Sequence, residues 1–179
     1  SQTQGVVQVR PGLVAHGLTF SLLRILGPNQ ATITLRWRSP NGDTRISADL
    51  DSHFQKYNVY GREYYINFAS RFGTLGDQLD RDDRTYEGPE TISFTLDPGA
   101  TYYRYWVGNF LFAGAVSTIP GSQPTVLVRI GETTREFSLA PGLVSTKQYW
   151  QVFDIVGGTI IPCEFDCLQD GSGTSLPPK

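Results

Sequence analysis

The sequence predicts an all-β protein, an antiparallel β-sandwich of roughly nine to ten strands with flexible terminal arms, on three observations. Apolar and polar residues alternate over short stretches, Gly, Pro, Asn and Asp clusters interrupt them roughly every 10 residues, and no 3.6-residue period persists. Aromatics make up 12% of the 179 residues, with 19 Gly and 11 Pro. That composition suits many short strands joined by tight turns.

The elements follow in order. Val6 to Arg10 (VVQVR) is a short extended stretch ended by Pro11-Gly12, where proline removes a ladder donor. Leu18 to Leu26 (LTFSLLRIL) lies between Gly17 and Gly27-Pro28-Asn29, which limit it to strand length. Ala31 to Arg38 alternates cleanly, with Ile33, Leu35 and Trp37 on one side and Thr32, Thr34, Arg36 and Arg38 on the other. After the turn cluster Ser39-Pro40-Asn41-Gly42-Asp43, the strand Ile46 to Phe54 puts Ile46, Ala48, Leu50, Ser52 and Phe54 on one face and Asp49, Asp51 and His53 on the other. Tyr57 to Phe68 reads as one tyrosine-rich strand and Gly73 to Gly88 as an exposed acidic loop. Glu90 to Leu96, Thr101 to Phe112, Pro124 to Ile130, Thr134 to Leu139 and Trp150 to Val156 complete the strands. Half of the rings in the aromatic strands are expected to fill the core. The chain divides into an N-terminal extended arm, 1–17, a sandwich domain, 18–157, and a C-terminal tail with a cysteine pair, 158–179.

The formal charge is −2, and the 15 basic residues are scattered, so nothing attracts a phosphate backbone and no nucleic-acid partner is expected. No apolar run approaches the roughly 20 residues that span a bilayer, so no membrane span is expected. The start Ser1-Gln2-Thr3-Gln4-Gly5 looks processed and the chain contains no Met, which points to a secreted protein, extracellular or at the cell surface. Cys163 and Cys167 have only three residues between them. They are expected to form a small disulfide, with interchain pairing as the alternative, since no further Cys or His pair completes a zinc site.

The candidate site is acidic. Same-face side chains on a strand recur about every 7 Å, so Asp49 and Asp51 can converge on a cation, with Asp80 and Asp82 of the loop completing the shell. A hard cation takes six to eight oxygens from carboxylates, carbonyls and water, so calcium fits Asp49, Asp51, Asp80 and Asp82. His53 and Asp83 are further candidates, and His53 would shift the preference towards zinc, copper or manganese. The competing reading is that these carboxylates cap turns and pair with Arg36, Arg71, Arg81 and Arg84. With His16 and His53 the only histidines, no nucleophile and base pair up in the sequence, and no catalytic residue is assigned.

Thr34-Leu35-Arg36-Trp37, Asp49-Leu50-Asp51-Ser52-His53, Leu79-Asp80-Arg81-Asp82-Asp83, Gly88-Pro89-Glu90-Thr91-Ile92 and Tyr102 to Val107 follow one another in an order that resembles the YfaP-type family of bacterial envelope and secreted β-sandwich domains. The resemblance covers roughly residues 30–156 and implies an exported sandwich with no established catalytic activity. Ser52 stands where that pattern usually has a second Leu, and the stretch from Tyr57 to Gly76 is long and aromatic. The function expected from the sequence is therefore a secreted, non-enzymatic module for extracellular binding or assembly, a surface or filament subunit stabilised by calcium. Its expected partners are copies of itself, joined by strand addition through the terminal arms. A carbohydrate-binding module with a glycan partner is the alternative, and a hydrolase ranks third.

Overall fold

The computed structural model describes residues 26–38, 48–83, 88–110 and 118–170. Among these residues the chain forms eleven strands: β1 Gln30–Arg36, β2 Leu50–Asn58, β3 Gly61–Ile66, β4 Gln78–Leu79, β5 Glu90–Thr95, β6 Tyr102–Asn109, β7 Thr125–Ile130, β8 Thr133–Ser138, β9 Tyr149–Val156, β10 Thr159–Pro162 and β11 Leu168–Gln169. They form two antiparallel sheets, one in the order β4-β5-β1-β7-β8 and the other β10-β9-β6-β2-β3, with β11 also paired to β9. The predicted all-β sandwich is the observed fold. The expected strands Val6 to Arg10 and Leu18 to Leu26, the arm 1–17, His16, Arg84 and the end of the tail lie wholly or almost wholly outside the described residues. No helix among the described residues is long and apolar enough to cross a membrane.

The two sheets meet through the residues that alternation directs inward. Ile33 and Leu35 of β1, Ile92 and Phe94 of β5 and Val126 and Val128 of β7 face Leu50 and Phe54 of β2, Tyr103, Tyr105 and Val107 of β6 and Phe153 and Ile155 of β9, all buried. Phe54 bridges the layers, with ring centroids 4.5 Å from Phe94 and 5.5 Å from Tyr103. Lys56 of β2 is a charged residue at an inward position, 1% exposed. Burial works against the Lys56 ammonium, but hydrogen bonds to Asp97 at 2.5 Å and Glu63 at 3.1 Å outweigh it and hold its pKa above the ordinary value.

The local readings need three adjustments. Tyr57 to Phe68 is not one strand: the Asn58 carboxamide oxygen accepts the Tyr60 amide at 2.8 Å and Gly61 takes φ +121°, so the chain reverses at Val59–Tyr60 and β3 returns along β2. Within the acidic loop, Gln78–Leu79 pairs with β5, because Asp77 accepts the Thr95 amide at 3.0 Å and Leu79 is buried. Beyond Val156 the chain turns at Gly157-Gly158, and both β10 and β11 add to β9. Cys163 and Cys167 are joined in a disulfide that closes the loop between β10 and β11.

Candidate metal centre

The site forms where β2 runs past its neighbour. The β2–β3 ladder ends at the pair Phe54 and Ile66, so the Ser52 amide lies beyond the last pair, and it donates to Glu90 Oε2 at 2.7 Å. Glu90 Oε1 accepts the Asp83 amide at 3.2 Å. Glu90 opens β5 in the same register as Ile92 and Phe94, so alternation sends its carboxylate inward with the apolar residues, and it is 0% exposed. Asp51 of β2 and Asp82 of the following loop bring their carboxylates to the same point. Oxygen atoms of Asp51, Asp82 and Glu90 all lie within 4.8 Å of one another.

The electrostatics follow from this crowding. Burial pushes the Glu90 carboxyl up to about 7; the amides of Ser52 and Asp83 pull the other way, and the charge of Asp82 raises it further. The Asp51 charge also reaches two phenols, adding to the burial that raises Tyr65 to about 12 and Tyr149 above its ordinary value. Arg81 faces Asp83, Nη2 to Oδ2 at 2.8 Å. A set made only of carboxylate oxygens, drawn from a strand, a loop and a second strand, is one a hard cation prefers and a soft metal does not.

Of the residues expected from the sequence, Asp51 and Asp82 meet here. Asp49 precedes β2 half-buried, its carbonyl accepting the Phe110 amide at 2.9 Å. Asp80 shapes its turn, with Oδ1 accepting the amides of Arg81 at 2.7 Å and Thr91 at 2.8 Å. Asp83 is buried beside Arg81 and reaches Glu90 through its main chain. His53 joins an aromatic stack, its ring 3.9 Å from and nearly parallel to Trp106. Its Nδ1 hydrogen-bonds the Tyr65 hydroxyl at 2.5 Å, and burial drops its pKa to about 3. Glu90 was missed. The signal was a carboxylate in the inward register of Glu90, Ile92 and Phe94, where an apolar residue belongs.

No family profile and no curated protein matches the chain. Solved structures that share the fold include SAV2460, a protein of unknown function, at 24% identity and TM-score 0.59 over 77% of this chain and 89% of that one. They also include SCO6318 of Streptomyces coelicolor A3(2), a homologue of the telluride resistance protein TerD, at 20% identity and TM-score 0.61 over 82% of this chain and 94% of that one. These likenesses show the fold, and they correct the expected function. The expectation of a secreted module for extracellular binding or assembly, a surface or filament subunit, is set aside, because the fold is shared with a telluride resistance homologue. Neither structure is described as YfaP-type.

Proposed function

We propose that this protein is a divalent-cation-binding β-sandwich, with calcium held by Asp51, Asp82 and Glu90, and that it works without catalysis. The observation that carries the reading is the convergence of three carboxylates from separate segments within 4.8 Å, around a glutamate with 0% exposure. Three like charges so close repel one another, and Asp51 and Glu90 are buried while Asp82 is half-buried. A cation relieves that repulsion and binds the folded chain, where the three meet, in preference to the unfolded one. It also couples local structure, since Glu90 already holds the amides of Ser52 and Asp83, so that a bound ion ties β2, β5 and the loop between them. The commitment of His53 to Trp106 and Tyr65 supports a binding role over a catalytic one, because its imidazole is not placed to serve as a base.

Isothermal titration of chelator-stripped protein with calcium, magnesium and zinc tests the reading. Calcium is expected to bind with one-to-one stoichiometry and zinc weakly, and Asp82→Asn to lower calcium affinity at least tenfold. Equal affinity in the variant would reject this ligand set. The fold likeness to a telluride resistance homologue supports placing the site in metalloid resistance. Growth on tellurite of cells expressing the protein or its Asp51→Asn variant addresses that setting, and resistance equal with either, or with neither, speaks against it.

A further inference from the structure

The outer face of the first sheet ends in a cavity that the cation site does not use. Thr125 opens β7 directly opposite Ser138 at the end of β8, and both turn outward because their neighbours Val126 and Phe137 turn towards the core. Trp37, just past β1, is buried in the core, so Arg38 beside it emerges on the outer side. With Gln123, these side chains line a cavity of about 360 Å³, a size within the range of small-molecule sites. Its walls are apolar. Pro120 and Pro124 come from the segment before β7, and Leu139 and Pro141 from the segment after β8.

The frame of the cavity is fixed by the main chain. The Arg38 amide donates to the Ser122 carbonyl at 2.8 Å, which ties the exit of β1 to the 3₁₀ turn Pro120–Ser122. Gln123 then takes φ +47°, a left-handed conformation uncommon for a residue with a side chain, held by its amide on the Pro120 carbonyl at 3.1 Å. Residues in that region cluster at ligand sites and switch segments. Beyond β8, the Leu143 amide donates to the Ala140 carbonyl at 3.2 Å and closes a turn at Pro141-Gly142. Among the described residues nothing accepts from the Arg38 guanidinium, whereas Arg81 holds the Asp83 carboxylate, Arg104 that of Asp154 and Arg135 the Ile160 carbonyl. The side chains of Gln123, Thr125 and Ser138 have no hydrogen-bond partner there either. No aspartate or glutamate is among the lining residues, in a chain where acidic residues outnumber Lys and Arg by 17 to 15.

We propose that this cavity binds a small organic carboxylate, with its anionic end on Arg38 and its apolar body between the prolines. The planar guanidinium fork matches the two oxygens of a carboxylate. The hydroxyls of Thr125 and Ser138 and the Gln123 carboxamide supply further donors to the same group. One guanidinium among the lining residues balances the single charge of a carboxylate and leaves the double charge of a phosphate uncompensated. Arg36, directly opposite Thr125 on β1 and exposed on the same face, draws anions towards the mouth without lining it. The apolar walls favour an organic anion over a bare inorganic one, which would leave them uncovered.

The test titrates benzoate, neutral benzamide and phenyl phosphate into the full chain in chelator, where cation binding plays no part, and follows amide shifts by NMR. Benzoate is expected to bind in the low-millimolar range or tighter, to shift amides of residues 120–125 and 138–142, and to bind at least tenfold more tightly than benzamide. Arg38→Gln changes an exposed side chain and keeps the main-chain bond to Ser122. It is expected to weaken benzoate binding at least tenfold with circular dichroism unchanged. Equal affinity for benzoate and benzamide, undiminished binding by the variant, or shifts confined to another part of the protein would overturn the proposal. Absence of saturable benzoate binding does the same, and phenyl phosphate bound more tightly than benzoate overturns the choice of a carboxylate.

Discussion

Two buried groups tilt the pH dependence of stability in opposite directions, and removing either exposes the other. The Glu90 carboxyl has its pKa raised from 4.5 to about 7 in the fold. A raised carboxyl holds its proton more tightly when folded, so its stabilising contribution is complete below the unfolded value and is lost as pH rises through the folded one. At 1.36 kcal/mol per unit, lowering the pH from about 8 to about 5 adds roughly 2.5 kcal/mol from this group. His53 runs the other way. Its pKa falls from 6.5 to about 3, so it stays neutral in the fold while the unfolded chain gains a proton, and at about pH 5 it removes roughly 2 kcal/mol. The two nearly cancel in the wild type. In chelator, Glu90→Gln should therefore lose roughly 2 kcal/mol between about pH 8 and 5, and His53→Gln should gain about 2.5 kcal/mol over the same range. Asp77, also raised by burial, titrates in every variant and drops out of the differences. Urea unfolding at the two pH values measures each slope. A Glu90→Gln profile parallel to that of the wild type would refute the burial argument for this carboxylate.

Three further outcomes follow from the packing. Phe54→Ala, which empties the contact with Phe94 and Tyr103 at 0% exposure, should cost about 3–5 kcal/mol in chemical denaturation. Gly108→Ala places a Cβ 2.6 Å from His53 Nε2; the imidazole is held against Trp106 and cannot easily withdraw, so about 1–3 kcal/mol should be lost and the tryptophan fluorescence should change. Replacing Cys163 and Cys167 by Ser opens a five-residue loop, and loop-closure entropy for so small a ring predicts a loss of only about 2 kcal/mol, measurable as a modest drop in Tm.

The fold was legible because binary alternation survives in the strands that build it. Ile33 and Leu35, or Ile92 and Phe94, declare an inward face without reference to anything distant. Hairpins and short strands were harder. Nothing local separates β2 from β3 except the side chain of Asn58 and the freedom of Gly61, and β4, β10 and β11 are strands because long neighbours offer them an edge. The site was half legible. Asp51 and Asp82 stand in acidic runs that draw the eye, but Asp49, Asp80 and His53 stand there as well, and only tertiary structure separates the carboxylate that converges from the one that caps a turn. Glu90 was hidden because a lone glutamate at a strand start looks solvent-facing unless its register with Ile92 and Phe94 is followed. Function was the least legible: an ordered set of family-like blocks and a processed-looking start pointed outward, and the fold of the solved neighbours overturned that expectation.

Terbium luminescence tests the cation site most directly. A lanthanide occupies calcium sites with the same oxygen ligands, and Tyr65 and Tyr149 lie close enough to Asp51 to feel its charge, so light absorbed by the aromatic rings reaches an ion bound there. The account predicts sensitised emission that saturates at one terbium per chain, is displaced by calcium, and disappears when Asp51→Asn and Asp82→Asn are combined. Emission of undiminished strength in that double variant, or none in the wild type, would contradict it.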